Sequence, residues 1–122
     1  MNIVIHTDVY KMGHIEQYPA GTTKVYSYLC ARSNKKYNKT LWYGLQYYLK
    51  EYFSTRPSHV AVDEFLKLRK QILGNDLPER FEKKLRSVAD LGYWPLLIKA
   101  VDEGTLVDNK NVLMTITNTH SC

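Results

Sequence analysis

Between Thr40 and Phe53 apolar side chains return every three to four positions: Leu41, Trp42, Leu45, Tyr48, Leu49, Tyr52 and Phe53. That spacing gathers them on one face and predicts an amphipathic helix. A second helix is predicted from Val62 to Leu73, with Asp63 and Glu64 in its first turn, where carboxylates suit the helix dipole. Its inward face would carry Phe65, Leu68 and Ile72, and Gly74 would end it. A third helix begins after Pro78 and runs towards Val88 or Asp90, with Phe81, Leu85 and Val88 inward and a strongly charged outer face.

Elsewhere the pattern favours strands and turns. Residues 3 to 5 are β-branched and predict a short strand, after which Thr7 or Asp8 can cap a helical segment towards Tyr18, weakened by Gly13. Tyr18-Pro19-Ala20-Gly21 predicts a turn with proline second and glycine last. The Val- and Tyr-rich stretch from Lys24 to Ala31 predicts a strand feeding a basic loop over 32–39. Leu96–Val101 and Val112–Thr117 are β-rich runs, spaced by the turn chemistry of Asp102-Glu103-Gly104 and Asp108-Asn109-Lys110-Asn111. The expected class is α+β: a small antiparallel or mixed sheet with about three packed helices. No repeat or long linker divides the 122 residues, so one domain spanning 1–122 is expected.

Composition adjusts this picture little, because 44% hydrophobic and 24% charged residues are ordinary for a globular protein. Ten tyrosines are the exception; each buries a ring while its hydroxyl needs a partner or water, which suits interfaces and half-buried positions. Cys30 and Cys122 stand far apart without metal-ligand spacing, so neither a zinc site nor a disulfide framework is indicated. The amino terminus lacks a basic segment followed by a long apolar one, and no apolar run approaches a membrane span; a cytoplasmic protein without membrane contact is the expectation.

The net charge of +5 is concentrated. Lys24, Arg32, Lys35, Lys36 and Lys39 occur in a stretch without an acid, while the remaining twelve cations balance the twelve acids. Such a run is either a solvated surface or a phosphate-binding one. Nucleic acid is disfavoured as a partner, for one short basic stretch without a binding motif is a small electrostatic footprint.

Self-contained catalysis has little support. There is no glycine-rich phosphate loop or nucleophile elbow, and His6, His14, His59 and His120 are dispersed rather than paired at metal-binding spacing. Asp102 and Glu103 are adjacent, but a strand would separate them across its faces and a turn would leave both solvated. No catalytic residue and no metal ligand is assigned.

Several segments taken together carry a resemblance: Thr7-Asp8-Val9-Tyr10-Lys11, His14, Gln17-Tyr18-Pro19, Lys24-Val25-Tyr26-Ser27-Tyr28 and Arg32. Trp42-Tyr43-Gly44-Leu45-Gln46-Tyr47, Ile98-Lys99-Ala100-Val101, Glu103-Gly104, Asn111-Val112-Leu113 and Asn118-Thr119 continue it in order. The chain thereby resembles the opening of the nicotinamide phosphoribosyltransferases. That resemblance implies the amino-terminal α+β domain of a type II phosphoribosyltransferase. It also implies a cytoplasmic homodimer that converts nicotinamide and phosphoribosyl pyrophosphate, with magnesium, to nicotinamide mononucleotide and pyrophosphate in NAD biosynthesis.

By the same resemblance Tyr10 stacks on the nicotinamide ring across a subunit interface, Arg32 lies near the substrate phosphates, and Asp8 caps the helix that carries Tyr10. The chemistry suits those roles. A ring stack adds roughly 0.5–1.5 kcal/mol to area burial, and a guanidinium fork fits phosphate oxygens bidentately. The plainer alternatives are a core tyrosine and a surface arginine. Gly44 is expected to allow close helix packing and Gly104 a turn with positive φ.

The stretch from Ser33 to Lys39 is shorter than in many relatives, and Asp102 stands where a proline is common. The family's other ring-stacking, amide-binding and phosphoribosyl-binding residues are expected beyond residue 122, so the chain by itself is expected to be inactive and to bind no cofactor alone. Three functions stay open: the amino-terminal part of a transferase that needs its catalytic domain or a homodimer partner, a non-catalytic module that associates with a full-length transferase, and a small nucleic-acid-binding protein.

Overall fold

The computed structural model describes residues 2–33 and 35–121; Cys122, weighed above as a possible ligand or disulfide partner, lies outside them. Two 3-10 helices, Ile3–Ile5 and Val9–Gln17, lead into strand β1 (Tyr26–Cys30). Then come β2 (Lys39–Leu41), helix α1 (Leu45–Tyr48) with a π-helical continuation over Leu49–Phe53, helix α2 (His59–Leu73) and helix α3 (Glu79–Leu91). Strands β3 (Leu96–Ala100), β4 (Leu106–Asp108) and β5 (Val112–Asn118) follow. The class is α+β, and every strand pairing is antiparallel.

The helical layer forms for reasons visible in its sequence. Ser58 caps α2, its hydroxyl oxygen accepting from the Ala61 N–H at 3.2 Å, and Pro78 stands at the N-cap of α3. Val62, Phe65 and Arg69 recur on the inward side of α2 and are its buried residues. Phe65 meets Met12 and Leu77 in the core, with Val4, Ile5, Ile15, Leu68, Phe81 and Leu85 packed around them. Burying a side chain of this size stabilises the fold by about 1.5–3 kcal/mol. Ile72, expected inward, is exposed, as is its neighbour Leu73.

The sheet has the order β1-β5-β3, with β5 central. Thr117 lies between Tyr26 and Leu97, and Thr115 between Tyr28 and Lys99, so Tyr26, Tyr28 and Leu97 share one surface. Asn118 closes one end: its side chain accepts from the Val25 N–H and donates to the Thr23 carbonyl, both at 2.8 Å. A separate two-stranded ribbon joins β2 to β4, with Thr40 opposite Val107 and Leu41 opposite Leu106.

Four local expectations are corrected. Residues 3 to 5 form a 3-10 turn rather than a strand; Asn2 caps it, accepting from the Val4 N–H at 3.0 Å, and also donates to the Ala61 carbonyl at 2.8 Å. The helix predicted from Thr40 begins at Leu45, since Thr40 and Leu41 are drawn into the ribbon with β4. Gly44 holds φ at +99°, and a Cβ there would meet nothing within 4 Å, so its role is conformational rather than close packing. The turn after Tyr18 is shifted by one residue: Thr22 donates to the Pro19 carbonyl, which puts proline first and Gly21 third.

Candidate functional site

Tyr10 sits on the 3-10 helix Val9–Gln17. A repeat of three residues per turn places Met12 and Ile15 on one side, and both belong to the core cluster, which fixes the helix to α2 and α3. The Tyr10 ring instead points outward with 64% of its surface exposed, which rules out the core alternative. Gly13 lies one 3-10 turn further on; its φ is not positive and an added Cβ there would meet nothing within 4 Å.

Asp8 occupies the N-cap position of this helix but makes no capping hydrogen bond. Its carboxylate accepts from the Tyr10 hydroxyl and from Lys11 Nζ, each at 3.2 Å. The Lys11 hydrogen bond, the Tyr10 hydroxyl and the lysine charge hold the Asp8 carboxyl below the usual carboxylate range, and Asp8 in turn raises Lys11. The Lys11 ammonium lies 5.8 Å from the Tyr10 ring centroid, and the His14 ring approaches at 5.4 Å with a 54° tilt. Asp8, Tyr10, Lys11 and His14 thus form one exposed cluster around an aromatic face.

Arg32 lies elsewhere in the chain, just after β1, where the Lys110 N–H donates to the Ala31 carbonyl at 3.0 Å. Its side chain is exposed and has no ion pair among the described residues. No hydrogen bond, ring contact or ion pair joins it to Tyr10, and neither residue lines any of the three clefts described here. Part of the basic stretch is structural, since Lys39 pairs with Asp108 across the β2–β4 ribbon at 3.5 Å.

Two supports were not anticipated from sequence. Arg69 is 1% exposed and its guanidinium pairs with Glu16 on the Tyr10-bearing helix while donating to the Asn75 carbonyl at 2.9 Å and its side-chain oxygen at 3.0 Å. A buried cation of this kind persists only when paired. Its position on the 62/65/69 face of α2 was the available signal. The Glu103 carboxylate accepts from the Gln46 N–H at 2.8 Å and so caps α1 from 57 residues away in the sequence. Gly104, at φ +90°, lets the chain turn there while its N–H donates to the Trp42 carbonyl at 2.8 Å. Glu103 is thereby a structural group, hydrogen-bonded where the turn reading expected both Asp102 and Glu103 to be solvated.

Among the described residues no group of three or more His, Cys, Asp or Glu side chains is placed to hold a metal ion. No helix among them is long and apolar enough to cross a membrane.

Fold and surface together define an α+β domain that anchors an aromatic cluster on its helical layer and turns the ring outward. Residues 2–87 match the family model described as nicotinamide phosphoribosyltransferase, N-terminal domain, and the chain belongs to that family. It is 36% identical over 120 residues to the nicotinamide phosphoribosyltransferase of Xanthomonas campestris pv. campestris (strain 8004), covering 97% of this chain and 25% of that protein. It is 29% identical over 129 residues to the nicotinamide phosphoribosyltransferase of Acinetobacter baylyi (strain ATCC 33305 / BD413 / ADP1), covering 93% of this chain and 25% of that protein. The chain therefore spans about a quarter of the length of these relatives.

Proposed function

We propose that the chain serves as the amino-terminal part of a nicotinamide phosphoribosyltransferase, which joins nicotinamide to phosphoribosyl pyrophosphate in NAD salvage and releases pyrophosphate. In this reading Tyr10 offers its face to the nicotinamide ring, Asp8 fixes the angle of that face through the phenol hydroxyl, and Arg32 contacts substrate phosphate. The catalytic domain, or a second subunit in a homodimer, supplies the opposing wall. The observation that carries the proposal is the Tyr10 ring itself: anchored through Met12, tethered by Asp8 at 3.2 Å, and exposed to 64%. Holding an aromatic plane rigid lowers the entropy lost when a flat ligand stacks on it.

A chimera tests this. Residues 2–121 replace the matching quarter of the Xanthomonas relative, and formation of nicotinamide mononucleotide is followed. The chimera is expected to be active, Tyr10→Ala to lose about tenfold or more in kcat/KM for nicotinamide, and Tyr10→Phe to retain most of it, because stacking survives without the hydroxyl. Equal activity of the Tyr10→Ala and unaltered chimeras would remove Tyr10 from the site. The chain alone is expected to make no mononucleotide, since the developing charge of phosphoribosyl transfer needs positioned groups from the other domain.

A further inference from the structure

Independently of the transferase reading, a cleft of about 450 Å³ opens between the turn that follows Tyr18 and the apolar side of α3, at the edge of the core. Its walls are apolar: Ile15, Pro19 and Val25 on one side, Phe81, Leu85 and Val88 on the other. Arg80 and Lys84 stand at its rim, and no carboxylate lines it.

The charges on α3 are otherwise matched. Lys83 pairs with Glu79 at 2.7 Å, and Arg86 with Glu82 at 2.8 Å and Asp63 at 2.9 Å. Arg80 and Lys84, one helical turn apart on the cleft side, have no carboxylate partner among the described residues. Helix stability does not account for Arg80, because a cation in a first turn opposes the macrodipole. The Arg80 guanidinium lies 4.5 Å from the Phe81 ring centroid, so one cation is seated on the aromatic wall of the cleft.

We propose that this cleft binds a small organic anion with an apolar body: a carboxylate or phosphate held by Arg80 and Lys84, and a ring or short chain inserted against Phe81, Leu85 and Val88. The volume falls in the range of small-molecule sites. Charge complementarity selects the anion, for two neighbouring unpaired cations gain from one shared counter-charge, and the apolar walls exclude a bare inorganic ion as the preferred occupant.

The test uses isotope-labelled chain titrated with 4-phenylbutyrate, with its uncharged alcohol, 4-phenylbutanol, and with acetate. Saturable shifts at the amides of Thr22, Phe81, Leu85 and Val88 are expected for the carboxylate. The alcohol should bind about tenfold more weakly or worse, and acetate should give no saturable response, because each lacks one of the two elements the site reads. Replacing both rim cations, Arg80→Gln with Lys84→Gln, should weaken 4-phenylbutyrate by a similar factor while leaving the remaining spectrum in place. Absence of saturable shifts up to about 10 mM, shifts centred on the sheet instead, or equal affinity for acid and alcohol overturns the proposal. The acid–alcohol comparison uses the unaltered chain, so the outcome does not depend on the variant folding.

Discussion

Tyr10 owes its usefulness to neighbours that hold it without covering it. Asp8 accepts from its hydroxyl and from Lys11, which lowers the Asp8 carboxyl from its ordinary value. A depressed folded-state value means that the interaction is fully present above the unfolded carboxylate range and is lost only as pH falls through the depressed value. The tether is thus expected to be constant through neutral and mildly acidic pH. Carbon-detected NMR titration should place the Asp8 midpoint below that of an unpaired aspartate, and Lys11→Ala should move it upward. Beneath this cluster, Glu16→Ala is expected to cost about 3 kcal/mol or more, because it leaves the buried Arg69 cation with only the two Asn75 oxygens. Urea unfolding measures that loss, and a cost under about 0.5 kcal/mol would show the pair to be dispensable.

Among the elements, α1 depends most on distant residues. It is short, opens after Gly44 at φ +99°, and takes its cap from Glu103, which lies beside the β2–β4 ribbon. Glu103→Ala is expected to destabilise the chain by about 1 kcal/mol, with hydrogen exchange accelerated first at Gln46 and Tyr47. An unchanged exchange pattern there would show that α1 needs no such cap. The ribbon and α1 then behave as one unit, since between them the Trp42 N–H donates to the Thr105 carbonyl at 2.9 Å.

For the molecule as a whole, the distribution of exposed aromatic surface matters most. Tyr26 and Tyr28 on the sheet face and Tyr43 and Tyr47 around α1 are all largely exposed, and Leu97 joins the first pair. A surface this apolar on so small a body favours association. The isolated chain is expected to self-associate in sedimentation experiments as its concentration rises and to bind an exposed-surface dye. Tyr26→Ser with Tyr28→Ser should reduce both signals. A strictly monomeric profile at high concentration would count against the sheet face as an interface.

Sequence by itself determined the α2 and α3 helices, the β1, β3 and β5 strands, the Gly104 turn and membership of the family, because each depends on local periodicity, caps and ordered short motifs. It also singled out Asp8 and Tyr10 together. Tertiary structure decided the rest. Thr40 and Leu41 carry a helical spacing, yet strand β4, more than sixty residues later, completes their hydrogen bonds and overrides it. Ile3 to Ile5 are β-branched, yet the cap from Asn2 and packing on the core wind them into a turn. Arg69 is charged, yet Glu16 and Asn75 allow it to be buried. For the ribbon and for Arg69 a partner distant in sequence supplies a hydrogen bond or counter-charge that local pattern does not encode, and for Ile3 to Ile5 the capping Asn2 side chain is itself held by the Ala61 carbonyl. The free energy of satisfying a buried polar group exceeds the few tenths of a kcal/mol that propensity contributes.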